Sequence, residues 1–386
     1  MIIESLKLIN LNGSDQEIKI KFNKDINILT GRNGSGKTTI LKLIWYCISS
    51  NIERAIEEIN FEKFELVTSL YKLKIHKYSL EKVDITLTEP NGDILNLKKN
   101  EVSDDPVHTV NKLILKIFDT SIFFPTFRRL EGGFSIDSKE RFFSNRFLLE
   151  HGKKMNFSDE LFRSTNKIQD ALEEHASELS VGRHRFISSI STIDIQKLIT
   201  EKYNAATTKV DEYSEFLTVK IFEDIKNYKE KEPGSTDDTS LINARNALNN
   251  IKGEVSKFEN KRKKIFQSIV VLENLITKIF NHKGIKLNRK ITWGDIDQSI
   301  SSDLLSAGEK QMLSFLCYNA LHSNCPFFID EPELSLHVDW QRMLLDVLIK
   351  QNTKNQFFIS THSPFIYTQY EDKEIMIGSD RGFEGE

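Results

Sequence analysis

Along the first hundred residues apolar and polar positions alternate with a period of two, which predicts strands rather than helices. Ile2 to Leu11 and Glu17 to Phe22 read as strands, and Ile26 to Thr30 reads as a shorter, more continuously apolar one. Ile40-Leu41-Lys42-Leu43-Ile44-Trp45-Tyr46 then has helical character. Alternation returns over Phe64 to Lys98, where Pro90-Asn91-Gly92-Asp93 marks a turn between Val83–Leu87 and Ile94–Leu97. An antiparallel subdomain is expected there. Residues 107–118 read as a short helix, and Ile122-Phe123-Phe124-Pro125 as a buried strand leading into Thr126-Phe127-Arg128-Arg129-Leu130-Glu131-Gly132-Gly133-Phe134.

From about Ser138 to His282 helical spacing dominates, broken between Lys229 and Ser240, where Pro233-Gly234-Ser235-Thr236-Asp237-Asp238 reads as an exposed turn. Beyond the turn Ile251, Val255, Phe258, Ile265, Ile269, Leu272, Ile276 and Ile279 keep steps of four and three, with Arg262 alone interrupting, as in a heptad seam. Before it Tyr203, Ala206, Val210, Tyr213 and Leu217 start a similar stripe, which Ile221, Ile225 and Tyr228 continue after a phase slip. Two helices joined this way form either a packed helical lobe or a coiled-coil hairpin on the order of 40 Å long. The cluster of Lys257 and Lys261 to Lys264 reads as a solvated face, with a partner or nucleic-acid surface as the alternative. Past Leu304 the pattern is α/β again: a loop and helix to Leu321, a buried strand Phe327-Phe328-Ile329, a helix from Val338 to Lys350, and a strand from Gln356 to Ser360.

Composition narrows the class without changing this picture. A chain of 386 residues can bury a large core, and 53 Lys plus Arg against 56 Asp plus Glu leave no global charge that calls for nucleic acid or membrane. Cys47, Cys317 and Cys325 lack paired spacing and nearby histidines, so neither a disulfide framework nor a metal site is expected, and a reducing, cytoplasmic setting is. No signal peptide is expected ahead of Ile2, and no apolar run approaches the ~20 residues of a membrane span.

The candidate chemistry starts where the third strand ends. Gly31, Gly36, Lys37 and Thr38 meet the pattern G-x-x-x-x-G-K-[ST], with Arg32, Asn33, Gly34 and Ser35 inside the loop and Thr39 after it. Between a strand and a helix this is a P-loop: glycines let backbone N–H groups turn inward around a triphosphate, and the helix N-terminus adds partial positive charge. Lys37 is expected at the β/γ-phosphates of ATP and the Thr38 hydroxyl on Mg²⁺. Four more segments follow in order: Leu305-Ser306-Ala307-Gly308-Glu309-Lys310-Gln311; Phe327-Phe328-Ile329-Asp330-Glu331-Pro332; Glu333-Leu334-Ser335-Leu336-His337; and Ile359-Ser360-Thr361-His362-Ser363. Singly, an acidic pair at a strand end is an ion pair or cap as readily as a catalytic pair, and a lone histidine is usually a satisfied polar residue.

Together and in this order the segments resemble the ABC-type ATPases of the SMC/Rad50/RecF class, and Asn33 fits that class's G-x-N-G-x-G-K. The resemblance implies an α/β P-loop NTPase with an antiparallel β-subdomain and an inserted helical lobe. It places the first half of an ATPase head at residues 1–137, the insertion at 138–290 and the second half at 291–386. It also implies roles. Asp330 would hold Mg²⁺ with Thr38, Glu331 would polarise the attacking water, and His362 would contact the γ-phosphate. Ser306 and Gly308 would bind the γ-phosphate of ATP held by a second copy, so that a homo-oligomer shares its sites, and Glu333 to His337 would form the D-loop through which a dimer's two sites communicate. The strings Asp330 to His337 and Thr361-His362-Ser363-Pro364 further resemble AAA_21/OLD-type ATPases of bacterial anti-phage systems. Ile26 to Thr39 with Phe123 to Phe134 looks closest to the ATPase subunit of the PARIS system, Septu and retron-associated ATPases being near neighbours. That implies a sensor of a phage-encoded protein that controls a separately encoded Toprim-type nuclease. A RecF-like ATPase that binds DNA in repair is the alternative. There are two departures. No glutamine lies between Gln16 and Gln169 to serve as a Q-loop residue, with Arg128 or Arg129 expected nearby, and too little chain follows His362 for a Toprim domain, so no nuclease activity is expected of this chain.

Overall fold

The computed structural model describes residues 1–80, 82–89, 92–99, 106–118, 120–126, 171, 174–188, 192–230, 237–279 and 305–378. Arg128, Arg129 and the rest of the string to Phe134, the Pro90-Asn91 half of the expected turn, and 231–236 at the hairpin turn lie outside the described residues. The chain divides into two units, one of residues 1–191 with 305–386 and one of residues 192–304.

Among its described residues the first unit holds two six-stranded sheets. One is antiparallel, in the order β2 (Ser14–Lys21), β1 (Ile3–Leu11), β4 (Lys63–Thr68), β5 (Lys72–Lys77), β6 (Val83–Thr88), β7 (Ile94–Lys99). Its inner strands alternate buried and half-buried residues, as expected of a sheet that covers a core with one face. The other sheet is parallel, in the order β12 (Glu374–Met376), β3 (Ile26–Thr30), β11 (Gln356–Ser360), β10 (Pro326–Asp330), β8 (Ile122–Phe124), β9 (Arg185–Phe186). Strands β3, β8, β10 and β11 are buried at every position, which is why they read as unbroken apolar runs. β9 falls inside the span that helical spacing had claimed. It is two residues long and is held by pairing with β8, so no periodicity announces it.

Register assigns each phenylalanine of the parallel sheet to a face. Phe123, Phe328 and Phe358 lie side by side and join the core that contains α1 (Lys37–Ile48), with Trp45 packed on Phe123 at 5.4 Å between ring centroids. Phe124 points the other way, edge-on to Phe315 of α6 (Ala307–Leu321) at 4.8 Å. Helix α1 is buried almost all round, in one apolar cluster with residues of both sheets. Gln356 ties the sheets together where β11 begins: its Oε1 accepts from Ile3 N–H, and its Nε2 donates to the Ile3 and Asn23 carbonyls. Helices α2 (Ile52–Glu58), α3 (Pro106–Ile117) and α7 (Val338–Lys350) complete the unit's named helices. Burial raises the Cys47 and Cys317 thiols above their ordinary range, so neither is a reactive thiolate.

Among its described residues the second unit contains two long helices, α4 (Thr192–Glu230, 39 residues) and α5 (Asp237–Ile279, 43 residues). They run antiparallel in a register set by Tyr203 against Phe266, Lys261 over the Tyr213 ring, and Lys220 paired with Glu254. At 1.5 Å per residue they are about 60 Å long, not about 40 Å, because each continues well beyond the apolar stripe that suggested it. Of the expected stripes Ala206, Leu272 and Ile276 are buried, and Ile195 and Ile199, ahead of the first stripe, are buried as well. Toward the turn Val255 and Ile225 are exposed, and Glu254 takes the inward position facing Lys220. Among the described residues no helix is long and apolar enough to cross a membrane.

Candidate active site

The C-terminal ends of adjacent parallel strands gather the polar groups, as open α/β sheets do at their ligand-binding edge. Strand β3 ends at Thr30 and feeds the glycine-rich loop, β10 ends at Asp330, and β11, lying between them, ends at Ser360. Asp330 is paired in register with Ser360, and Ser360 with Leu29, so all three ends are level.

Gly31 is required by space and backbone together. Its φ is +141°, and a Cβ there would stand 2.3 Å from the Ile377 carbonyl oxygen. Gly34 and Gly36 also have positive φ, at +80° and +95°, which turns the loop tightly ahead of α1. Arg32, Asn33 and Gly34 are exposed at the rim, and Ser35, Thr38 and Thr39 are half-buried. Lys37 is buried. Its ammonium donates to the carbonyls of Gly31 and Arg32, both at 3.1 Å, and approaches His362 Nε2 at 2.7 Å. Desolvation lowers the Lys37 pKa in spite of the Glu331, Asp330 and Glu333 carboxylates. An ammonium can only donate, so Nε2 of His362 accepts and the imidazole is neutral, in keeping with a pKa lowered by burial and by the Lys37 charge.

Asp330 is fully enclosed and accepts three hydroxyls: Thr38 on Oδ1 at 2.9 Å, Ser360 on Oδ1, and Thr126 on Oδ2 at 2.5 Å. The next residue, Glu331, has left-handed backbone, φ 47° and ψ 56°, held by its N–H donating to the Ser360 carbonyl at 3.0 Å. Such a non-glycine conformation costs about 1–3 kcal/mol, and here it aims Glu331 across the strand ends, Oε1 lying 4.0 Å from His362 Nε2. The geometry therefore brings together Lys37, Thr38, Asp330, Glu331 and His362. Among the described residues no hydrogen bond joins Ser306 or Gly308 to that group. Ser306 caps α6 in a reciprocal box with Glu309, and Gly308 is pressed against the Ser335 backbone, where a Cβ would come within 2.4 Å of the carbonyl oxygen.

The residues fit ATP with Mg²⁺. The Ser35 hydroxyl is buried in the loop without a hydrogen-bond partner among the described residues, and the positive φ of Gly34 and Gly36 curls the loop backbone around it. One hydroxyl and one carboxylate 2.9 Å apart are the sparse oxygen set that Mg²⁺ takes when phosphate and water supply the remainder. Three contributors escaped the sequence reading. Thr126 and Ser360 bond to Asp330 across long separations that no local pattern encodes. Glu333 accepts the His362 N–H at 2.6 Å, and its one signal was its place in the run Asp330-Glu331-Pro332-Glu333. Thr126 lies two residues beyond the end of β8.

Such a site at the edge of a parallel sheet flanked by an antiparallel one defines a P-loop NTPase head of the ABC type. The chain belongs to the AAA ATPase domain family (AAA_15), whose model it matches over residues 1–367. It is 25% identical over 235 residues to the DNA replication and repair protein RecF of Clostridium novyi (strain NT), covering 59% of this chain and 64% of that relative's length. It is 35% identical over 75 residues to Endonuclease GajA of Bacillus cereus (strain VD045), covering 18% of this chain and 13% of the relative. Among solved structures it is similar to the Smc head domain with an extended coiled coil bound to the C-terminal domain of ScpA, from Pyrococcus furiosus. That match has a TM-score of 0.37 and 14% identity, covering 95% of this chain and 91% of the other.

Proposed function

We propose that the chain is a Mg²⁺-dependent ATPase that works as a switch between separate and nucleotide-joined copies of itself. The observation that carries this is the convergence of two bonded pairs at one sheet edge, Lys37 with His362 at 2.7 Å and Thr38 with Asp330 at 2.9 Å, with Glu331 4.0 Å from His362. Lys37 and the N–H groups of the loop bind the β/γ-phosphates, Thr38 and Asp330 hold the metal, and Thr126 and Ser360 fix the Asp330 carboxylate. Mg²⁺ when bound neutralises charge that develops on the phosphates. Glu331 orients the attacking water and draws its proton, while His362 contacts the γ-phosphate. Ser306 and Gly308 face the nucleotide of the neighbouring copy.

Glu331→Gln tests the reading. It should bind ATP like the parent, hydrolyse it about 10²-fold more slowly or worse, and accumulate as an ATP-bound dimer by light scattering. An undiminished rate would overturn the assignment of Glu331, and equal association of parent and variant would overturn the nucleotide-joined pair.

For the output we assign control of a separately encoded Toprim-type nuclease in anti-phage defence of the PARIS kind, triggered by a phage-encoded protein. The motif strings and the similarity to Endonuclease GajA support it. The purified chain should then leave DNA and RNA intact with Mg²⁺ and ATP; cleavage abolished by substituting its own carboxylates would contradict this. The similarity to clostridial RecF supports a second reading, DNA binding in repair, which predicts ATP-dependent retention of junction DNA in a gel shift.

A further inference from the structure

Glu333 has no part in the reaction as described, yet it carries a carboxylate into the site's interior. The turn Pro332–Leu334 reverses the chain directly after Glu331 and carries Glu333 back beneath the histidine loop. There Oε1 accepts the His362 N–H at 2.6 Å, and Oε2 is enclosed. Burial raises its carboxyl pKa, opposed by the His362 N–H and the Thr361 hydroxyl. Enclosing a carboxylate is costly, and a loop whose only task was to turn would not place one here. A second link runs in parallel: Gln341 donates to the Glu333 and Leu336 carbonyls at 3.3 and 2.8 Å and accepts from Ser363 Oγ at 2.6 Å. On the far side of the same loop, the Ser335 carbonyl rests against Gly308 at the start of α6.

We infer that Glu333 is the positioning residue for His362, holding the backbone of the histidine loop by accepting the His362 N–H. The inference rests on the ATPase reading above and extends it.

The test is a double-mutant cycle on the full chain, following single-turnover hydrolysis, ATP affinity and thermal stability for parent, Glu333→Ala, Glu333→Gln, Glu333→Asp, His362→Ala and the Glu333→Ala/His362→Ala pair. Glu333→Ala should lower the rate about tenfold or more, with ATP affinity unchanged. Glu333→Gln should recover most of that loss, because its amide oxygen still accepts the His362 N–H. Glu333→Asp, one methylene short, should fold and fall between them, keeping the assignment open to refutation if the alanine variant does not fold. In the His362→Ala background Glu333→Ala should change the rate less than twofold, since a residue that acts through His362 has nothing left to position. Loss of the same factor in both backgrounds, failure of glutamine to rescue, or parental rates for the alanine and aspartate variants would each overturn the inference. If the parent shows no ATP turnover, the ATPase reading fails and the inference with it; an active parent whose Glu333 variants behave as stated against the expectation removes the inference alone.

Discussion

The closest charged neighbour of the His362 imidazole is a cation: Lys37 Nζ lies 2.7 Å from Nε2, against 4.0 Å to the Glu331 carboxylate. Desolvation and that ammonium hold the pKa below its ordinary value, so the folded chain binds this proton less tightly than the unfolded chain does. As pH falls through about 6.5 the unfolded state is protonated first, and stability is lost from there down to the folded pKa. Between about pH 7.5 and about pH 5.5 the parent should therefore lose more stability than His362→Gln, measured by urea denaturation at each pH; parallel curves would mean that His362 is not held neutral. Lys37→Ala should lower ATP affinity about 10²-fold or more by titration calorimetry while leaving the melting temperature close to the parent's, because the buried ammonium is itself costly to keep charged. Residues with a motif of their own, Lys37, Thr38, Asp330, Glu331 and His362, were legible in the sequence because their chemistry depends on neighbours a few positions away. Thr126, Ser360 and Glu333 were not, since a hydroxyl or carboxylate acquires its role only when the sheet order sets it against Asp330 or His362.

Elements follow the same division. Strands β3, β10 and β11 could be read because a parallel strand buried on both faces is an unbroken apolar run with a polar residue at its end, whereas the order that puts β11 between β3 and β10 depends on packing around α1. The end of β12 is stitched to the glycine-rich loop: Ile377 N–H donates to the Thr30 carbonyl, and the Ile377 carbonyl fills the space beside Gly31. Gly31→Ala should therefore push backbone against backbone, costing about 1–3 kcal/mol and weakening ATP binding, as read by denaturant unfolding and calorimetry. Gly34, which faces open space, should tolerate alanine with only the cost of its positive φ, roughly 1–2 kcal/mol. In the long hairpin the heptad pattern was legible, but its depth was not. Leu272→Ala should destabilise the helices by about 2–5 kcal/mol, since Leu272 is fully enclosed. Leu248→Ala, at a position 67% exposed, should stay within about 0.5 kcal/mol, and circular-dichroism melts of the full chain would separate the two.

At the scale of the whole molecule the question is which copy owns each half of the site. Lys37, Thr38, Asp330, Glu331 and His362 are joined within one chain. Among the described residues, no hydrogen bond ties Ser306 or Gly308 to any of them: the Ser306 side chain accepts from Glu309 N–H, and Gly308 backs onto Ser335. In the function proposed above, the Ser306 hydroxyl and the helix N-terminus would meet the γ-phosphate held by another copy. Ser306→Arg adds bulk where that anion would be met, so it should abolish hydrolysis and keep ATP binding. It also removes an N-cap worth about 1 kcal/mol, a loss that a melt would reveal and that stops short of unfolding the chain. Lys37→Ala should show the opposite profile, losing ATP binding. Mixed together, the two inactive variants should recover turnover, because some pairs then place an intact P-loop opposite an intact Ser306, and recovery should peak near equal proportions. Fluorescently labelled copies establish that subunits exchange. With exchange established and activity still at zero at every ratio, either both sites must fire together or Ser306 acts in its own chain. A covalently linked Lys37→Ala/Ser306→Arg pair separates these, compared with a linked Lys37→Ala/parent pair: activity in the second alone refutes sharing across copies, and silence in both means that the two sites fire only in concert.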